Sequence, residues 1–106
     1  MVSRPIFGYW NIRCADRGNA NRFILAYAGV DYEEKRYDWF NNRTEWSEQD
    51  KNNLPLDYPN LPYIIDGDCN ITESAAVTMY ICDKWAPALM GNNAAERSRI
   101  LQLQCI

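Results

Sequence analysis

The sequence predicts a mixed α/β (α+β) domain in which a β-α-β unit is followed by a β-β-α unit around a four-stranded mixed sheet. Three observations carry this reading. Ile6-Phe7-Gly8-Tyr9-Trp10 has the apolar and aromatic character of a short buried strand, and an amphipathic run ending at Gly29 follows it as a helix with a glycine C-cap. Asp66-Gly67 separates two short β-prone runs, which is a tight hairpin signal because Gly accepts the positive φ that primed turns need. Ser74 to Trp85 is a helix-like run introduced by Thr72-Glu73-Ser74, with hydroxyl and carboxylate groups where a helix exposes its first N–H groups. Such an order suits a sheet with helices packed on its faces.

Each element has its own reason. In the first helix, Phe23, Ile24 and Tyr27 have the spacing of one buried face. Tyr32 to Tyr37 is charged between two tyrosines and fits an exposed edge strand, where Lys and Glu deter unwanted pairing. Residues 38–57 turn polar around Trp39, Phe40 and Trp46 and read as a long loop with one short helical turn. A long internal loop with tryptophans points to function rather than disorder. Pro62 then marks the entrance to the strand Tyr63-Ile64-Ile65, since proline is accepted at the first residue of a strand and not inside it. A cis Leu61–Pro62 bond would turn the Leu61 amide and carbonyl outward as a free backbone edge. The return strand is Cys69–Thr72, and the start of the next helix would welcome an anion. Together, Tyr58 to Ser74 fits a ligand with a peptide-like backbone and a carboxylate. After Ala86-Pro87, residues 88–93 form a connector, and Ala94 to Ile106 reads as a helix whose apolar pattern stops without a cap, as the first helix of a further unit would.

Composition narrows the function. At 106 residues and a net charge of −3, the chain offers no clustered basic field for nucleic acid. No apolar run approaches the roughly 20 residues of a bilayer span, and Met1 to Pro5 lacks the apolar core of a secretory signal, so the expectation is a soluble cytoplasmic protein. Cys14, Cys69, Cys82 and Cys105 form no C-x-x-C pair, and histidine is absent. Ser–His or Cys–His nucleophiles and histidine-ligated metals are therefore excluded within this chain, and no metal is expected. Any acid–base chemistry falls to Tyr, Cys, Asp, Glu or Lys.

Three separated motifs resemble the cytosolic glutathione transferases, the mu class above all. Gly8-Tyr9-Trp10-Asn11-Ile12-Arg13 is similar to that class's first strand and catalytic loop, Tyr32-Glu33-Glu34-Lys35 to its second strand, and Asp57 to Gly67 to its glutathione clasp. The resemblance runs over nearly the whole chain. It implies a thioredoxin-like domain over residues 1–87, with residues 88–106 as connector and first helix of an all-helical second domain. It implies glutathione as cosubstrate, a small electrophile as second substrate, and either a homodimer at full length or a partner protein over the exposed face. By the same resemblance Tyr9 donates its hydroxyl to the glutathione sulfur, Trp10 walls the site, and Arg43, Trp46 and Lys51 hold the glycine carboxylate. Leu61 before Pro62 pairs its backbone with the cysteinyl unit, with Asn60 beside it. Ser74 and Glu73 meet the γ-glutamyl carboxylate and amine. A phenol donated to a thiolate is a charge-assisted bond that lowers the thiol pKa, so no histidine is required.

The chain also departs from the mu pattern. The stretch after Tyr9, Cys14 to Ala20, is about two residues longer, Cys14 stands where the family has Gly, and Glu73 replaces Gln. One residue is inserted between Trp46 and Asn60, which selects Lys51 rather than Asp50 by counting back from Asn60. Two other functions fit these departures: a non-catalytic, transferase-like assembly subunit, and a thiol transferase using Cys14 near a helix N-terminus. More ordinary roles also exist, with Tyr9 and Trp10 as core aromatics, Trp46 as a pin for its loop, Arg43 and Lys51 as solvated charges, and Ser74 as a cap.

Overall fold

The computed structural model describes residues 4–12 and 17–106, with Arg17 by its backbone alone. Strand β1 (Ile6–Trp10) leads to helix α1 (Arg17–Tyr27), then to β2 (Glu33–Tyr37), a helical turn at Glu45–Asp50, the hairpin β3 (Tyr63–Asp66) and β4 (Cys69–Thr72), helix α2 (Ser74–Trp85), a 3-10 turn at Pro87–Met90, and helix α3 (Ala94–Cys105). The four strands form one sheet in the order β2-β1-β3-β4, with β1 parallel to β2 and antiparallel to β3. This is the thioredoxin-like arrangement that the motif order implies. The charged strand β2 does lie at an edge.

The hairpin turn differs by one residue from its expectation. Asp66 pairs with Cys69, so the two turn residues are Gly67 and Asp68, and only Gly67 takes positive φ, at 61°. That is the pattern of a II′ turn, which places Gly first.

Alternation along β1 divides the core in two. Phe7 and Tyr9 face the helices and pack with Leu25, Ile64, Val77 and Ile81. Ile6 and Trp10 face the other way, toward Tyr37, Trp46, Leu56 and Tyr63. Helices α1 and α2 thus share one face of the sheet, and the opposite face is covered by the 38–57 segment rather than by a helix. This corrects the expectation of helices on both faces: the tryptophan-bearing loop supplies apolar area that a second helical layer would otherwise bring.

Helix α1 also buries a different stripe from the one its apolar spacing suggests. Gly18, Asn21, Arg22 and Leu25 are buried, whereas Phe23 and Tyr27 are 72% and 74% exposed. The physical reason is a polar scaffold. The buried Asn21 amide donates to the Ser74 carbonyl at 3.1 Å and to Thr78 Oγ1 at 2.8 Å, joining α1 to α2. Arg22 donates to Glu34 of β2 at 2.6 Å, to Asn19 at 3.0 Å and to the Trp10 carbonyl at 2.9 Å. Buried polar groups demand such partners, and these fix how the helix is turned on the sheet. Among the described residues no helix is long and apolar enough to cross a membrane.

Candidate functional site

Strand register gathers the predicted residues at one end of the sheet. The β1–β3 pairs run Ile6–Ile65, Phe7–Ile64 and Gly8–Tyr63, and the β3–β4 pairs begin at Tyr63–Thr72. One step beyond those pairs, Tyr9, Pro62 and Glu73 follow as a row across three strands. Ser74, the first residue of α2, comes next.

Tyr9 stands on the helix face of β1, half-buried against the first core cluster. Its ring lies so close to α1 that a Cβ on Gly18 would fall 2.2 Å from Tyr9 Cδ2. The Arg22 guanidinium carbon is 5.7 Å from the ring centre. The first turn of α1 and a buried cation thus hold the phenol. Cys14 and Arg13, which belong to the loop between them, lie outside the described residues.

At the clasp, the Leu61–Pro62 bond is cis. The expected free edge is nonetheless engaged on one side, because the Leu61 N–H donates to Asn60 Oδ1 at 2.9 Å. An exposed amide takes its neighbour's side chain when no longer-range acceptor is present.

The N-cap residue of α2 does not cap the helix with its side chain, contrary to the pattern of Thr72-Glu73-Ser74. Glu73 occupies the cap position with φ 75° and ψ 125° and makes no side-chain cap bond. The Thr72 hydroxyl donates instead to the Tyr58 carbonyl at 2.8 Å, and Ser74 Oγ donates to Asn21 Oδ1 at 3.5 Å. A non-glycine residue at such φ costs on the order of 1–3 kcal/mol and persists only where its surroundings over-determine it. Here the Thr72–Tyr58 and Ser74–Asn21 bonds clamp both neighbours. Glu73, as the N-cap residue, adds no side-chain bond of its own to this helix start, where the dipole favours anions. Beside it, a groove of about 660 Å³ is lined by Ala20 and Ile24 of α1, Glu73 and Ser74 at the start of α2, and Leu103 and Ile106 at the end of the chain. Tyr9 and the clasp do not line that groove.

The three residues expected to hold a carboxylate on the 38–57 segment fare differently. Trp46 is only 5% exposed; its ring stacks on Tyr63 at 6.0 Å and 22° and meets Tyr37 edge-on at 5.4 Å. It pins its loop, and among the described residues its indole N–H makes no hydrogen bond. Arg43 is turned inward on its own segment, donating to the Trp39 carbonyl at 2.7 Å with its guanidinium 4.0 Å over the Trp39 ring. Trp39 in turn meets Trp10 edge-on at 5.0 Å. Lys51 is exposed, and among the described residues its ammonium makes no ion pair. Asp50, the alternative by counting, accepts a bond from Tyr37 at 2.6 Å, so Lys51 is the outward cation.

Sequence reading missed Asn21, Arg22, Glu34 and Gly18, and weighed Asp50 only as an alternative to Lys51. The polar spacing Asn21-Arg22 flanked by Gly18 and Leu25 at helical intervals was the available signal, and the more apolar Phe23-Ile24-Tyr27 pattern outweighed it. Burial raises the Tyr37 hydroxyl far above its ordinary 10.0, and its bond to Asp50 adds to this; the Tyr63 hydroxyl is raised by burial as well. Neither of these can serve as a base near neutral pH. Among the described residues no group of three His, Cys, Asp or Glu is placed to hold a metal ion.

Residues 5–83 match the family described as Glutathione S-transferase, N-terminal domain. The chain is 43% identical over 102 residues to a glutathione S-transferase of Tyrophagus putrescentiae, a match covering 94% of this chain and 44% of that protein. It is 42% identical over 97 residues to the class-mu 26 kDa isozyme 7 of Fasciola hepatica, covering 92% and 42%. Among solved structures, a major nematode-specific GST of C. elegans superposes with a TM-score of 0.75 at 25% identity, over 97% of this chain and 45% of that one. The chain thus spans less than half the length of the curated relatives it matches.

Proposed function

Because the chain belongs to the glutathione S-transferase family, through its N-terminal domain, we propose that it binds glutathione and activates its thiol for attack on a small electrophile. One observation carries the reading: Tyr9, the Leu61–Pro62 clasp and the start of α2 at Ser74 stand at the same end of one sheet. A thiol, a backbone and an anion can be served there side by side.

In this reading the Tyr9 hydroxyl donates to the glutathione sulfur and favours the thiolate, whose proton leaves to solvent. Leu61 exchanges its local bond with Asn60 for one with the cysteinyl backbone. Ser74, with Glu73 and the α2 N–H groups, receives the γ-glutamyl end. Lys51 and the Trp46 indole N–H receive the glycine carboxylate, and Arg43 joins them on releasing the Trp39 carbonyl. Trp10 walls the site. Residues 88–106 are taken as the connector and first helix of a helical second unit that holds the electrophile. The whole protein is proposed to act as a cytoplasmic homodimer; the exposure of Phe23 and Tyr27 supports cover by further protein surface.

Calorimetry with glutathione and turnover of a chromogenic aryl halide test the proposal. Binding by the parent is expected, with Ser74→Ala weakening it. Tyr9→Phe is expected to lower turnover roughly 100-fold, the scale of one lost donor to a developing anion, while Cys14→Ser leaves it unchanged. A parent that binds no glutathione sinks the reading, and binding without turnover would favour the assembly subunit. A rate lost with Cys14→Ser and kept with Tyr9→Phe would favour the thiol transferase.

A further inference from the structure

We propose that Asp50 is a positioning residue for the carboxylate end of glutathione, fixing the Lys51 turn to the sheet by accepting the hydrogen bond of the buried Tyr37–Tyr63 pair. The inference rests on the glutathione reading above. Tyr37 is fully buried and Tyr63 is 1% exposed, and their hydroxyls are 2.9 Å apart. Tyr37 gives its one proton to Asp50 at 2.6 Å, so Tyr63 must be the donor to Tyr37. The chain of donation Tyr63 to Tyr37 to Asp50 therefore needs an acceptor-only group at its end, and an ionised carboxylate is that group.

Asp50 shares its turn with Trp46, four residues earlier, which stacks on Tyr63. The turn is thus fastened to one tyrosine by its ring and to the other by its hydroxyl. A third tie comes from Lys35 of β2, whose ammonium lies 3.0 Å from Glu45 at the start of the turn. Lys51 follows Asp50 directly, and its backbone N–H donates to the Trp46 carbonyl at 2.8 Å. With Asp50 drawn inward, the next side chain along the turn is left on the outside. Removing the carboxylate frees the end of the turn that carries the cation, while Tyr9 and the clasp keep their own supports on α1 and β3.

The test compares two ligands on the full chain: glutathione, and its glycine monoethyl ester, whose glycine carboxylate is neutral. Asp50→Asn and Tyr37→Phe are each expected to weaken glutathione binding about tenfold, the scale of one bond to a charged group. Ester binding should change by less than about twofold, since without the charge there is nothing for a positioned cation to hold. The KM for glutathione should rise with kcat retained at saturation. Equal losses for both ligands, or unchanged glutathione affinity in a folded variant, would overturn the proposal. Should Asp50→Asn fail to fold, Tyr37→Phe keeps the ring and its stacking and gives the same comparison. A parent that binds neither ligand refutes the glutathione reading itself, an outcome distinct from both.

Discussion

Gly18 carries no side chain because Tyr9 occupies the space that a Cβ would fill, 2.2 Å from the ring. The tyrosine proposed to touch sulfur is therefore placed by a residue nine positions away on a different element. Gly18→Ala is expected to push the ring off its seat and to cost about 1–3 kcal/mol, as overpacking does. Chemical denaturation would measure the loss, and turnover should fall in the variant even where it remains folded; a variant with parental stability and rate would refute the contact. Gly8 has the same relation to Tyr63 on the other face of β1, where a Cβ would lie 2.2 Å from the ring. Neither glycine has positive φ, so nothing in the local chain marks them as constrained. Tyr9, Leu61 and Ser74 are proposed for the site because their motif surrounds them; nothing local marks Gly18, or the bond that Asp50 accepts from Tyr37, since each matters through a partner distant in sequence.

Strand positions were read correctly because β1 and β3 are short apolar and aromatic runs and β2 is bounded by tyrosines, and the hairpin because Gly67 takes the positive φ of its turn at low cost. Helix α1 was located correctly and turned the wrong way. Its apolar side chains suggested the Phe23–Tyr27 face, but a buried amide and guanidinium that together donate five hydrogen bonds set the rotation. Two substitutions separate the faces in this chain. Leu25→Ala should cost about 2–5 kcal/mol, the usual loss for a buried leucine, whereas Phe23→Ser should stay within about 0.5 kcal/mol of the parent, as exposed positions do. Urea midpoints for the pair decide it, and a larger loss at Phe23 would mean that the helix is rotated. The same holds at the start of α2, where the Thr72 hydroxyl bonds the Tyr58 carbonyl and the Ser74 hydroxyl bonds Asn21.

Across the molecule, ionisable side chains tie the hairpin to α2. Asp66 of β3 is partly desolvated, which pushes its carboxyl up, but the hydrogen bonds from Lys84 and Tyr80 and the charge of Lys84 outweigh this and hold its pKa below the ordinary 3.8. A carboxylate depressed in the folded state adds stability that is present above its unfolded pKa and is lost as pH falls through the folded one. Acid unfolding should therefore steepen below about pH 4, and Asp66→Asn should flatten that limb; an unchanged acid limb would remove Asp66 from the account. At the alkaline end, Tyr37, Tyr63 and Tyr80 have raised folded pKa values, so their contribution is present below 10.0 and declines above it. Element order, the mixed sheet and the motif set follow from the amino-acid order alone, because short-range periodicity, turn chemistry and family motifs are all written locally. Long-range packing sets which face of α1 is buried, that the 38–57 segment covers the second face of the sheet, and which of Asp50 and Lys51 turns outward. Those choices depend on finding partners for buried donors and acceptors, and the partners lie on other strands and helices.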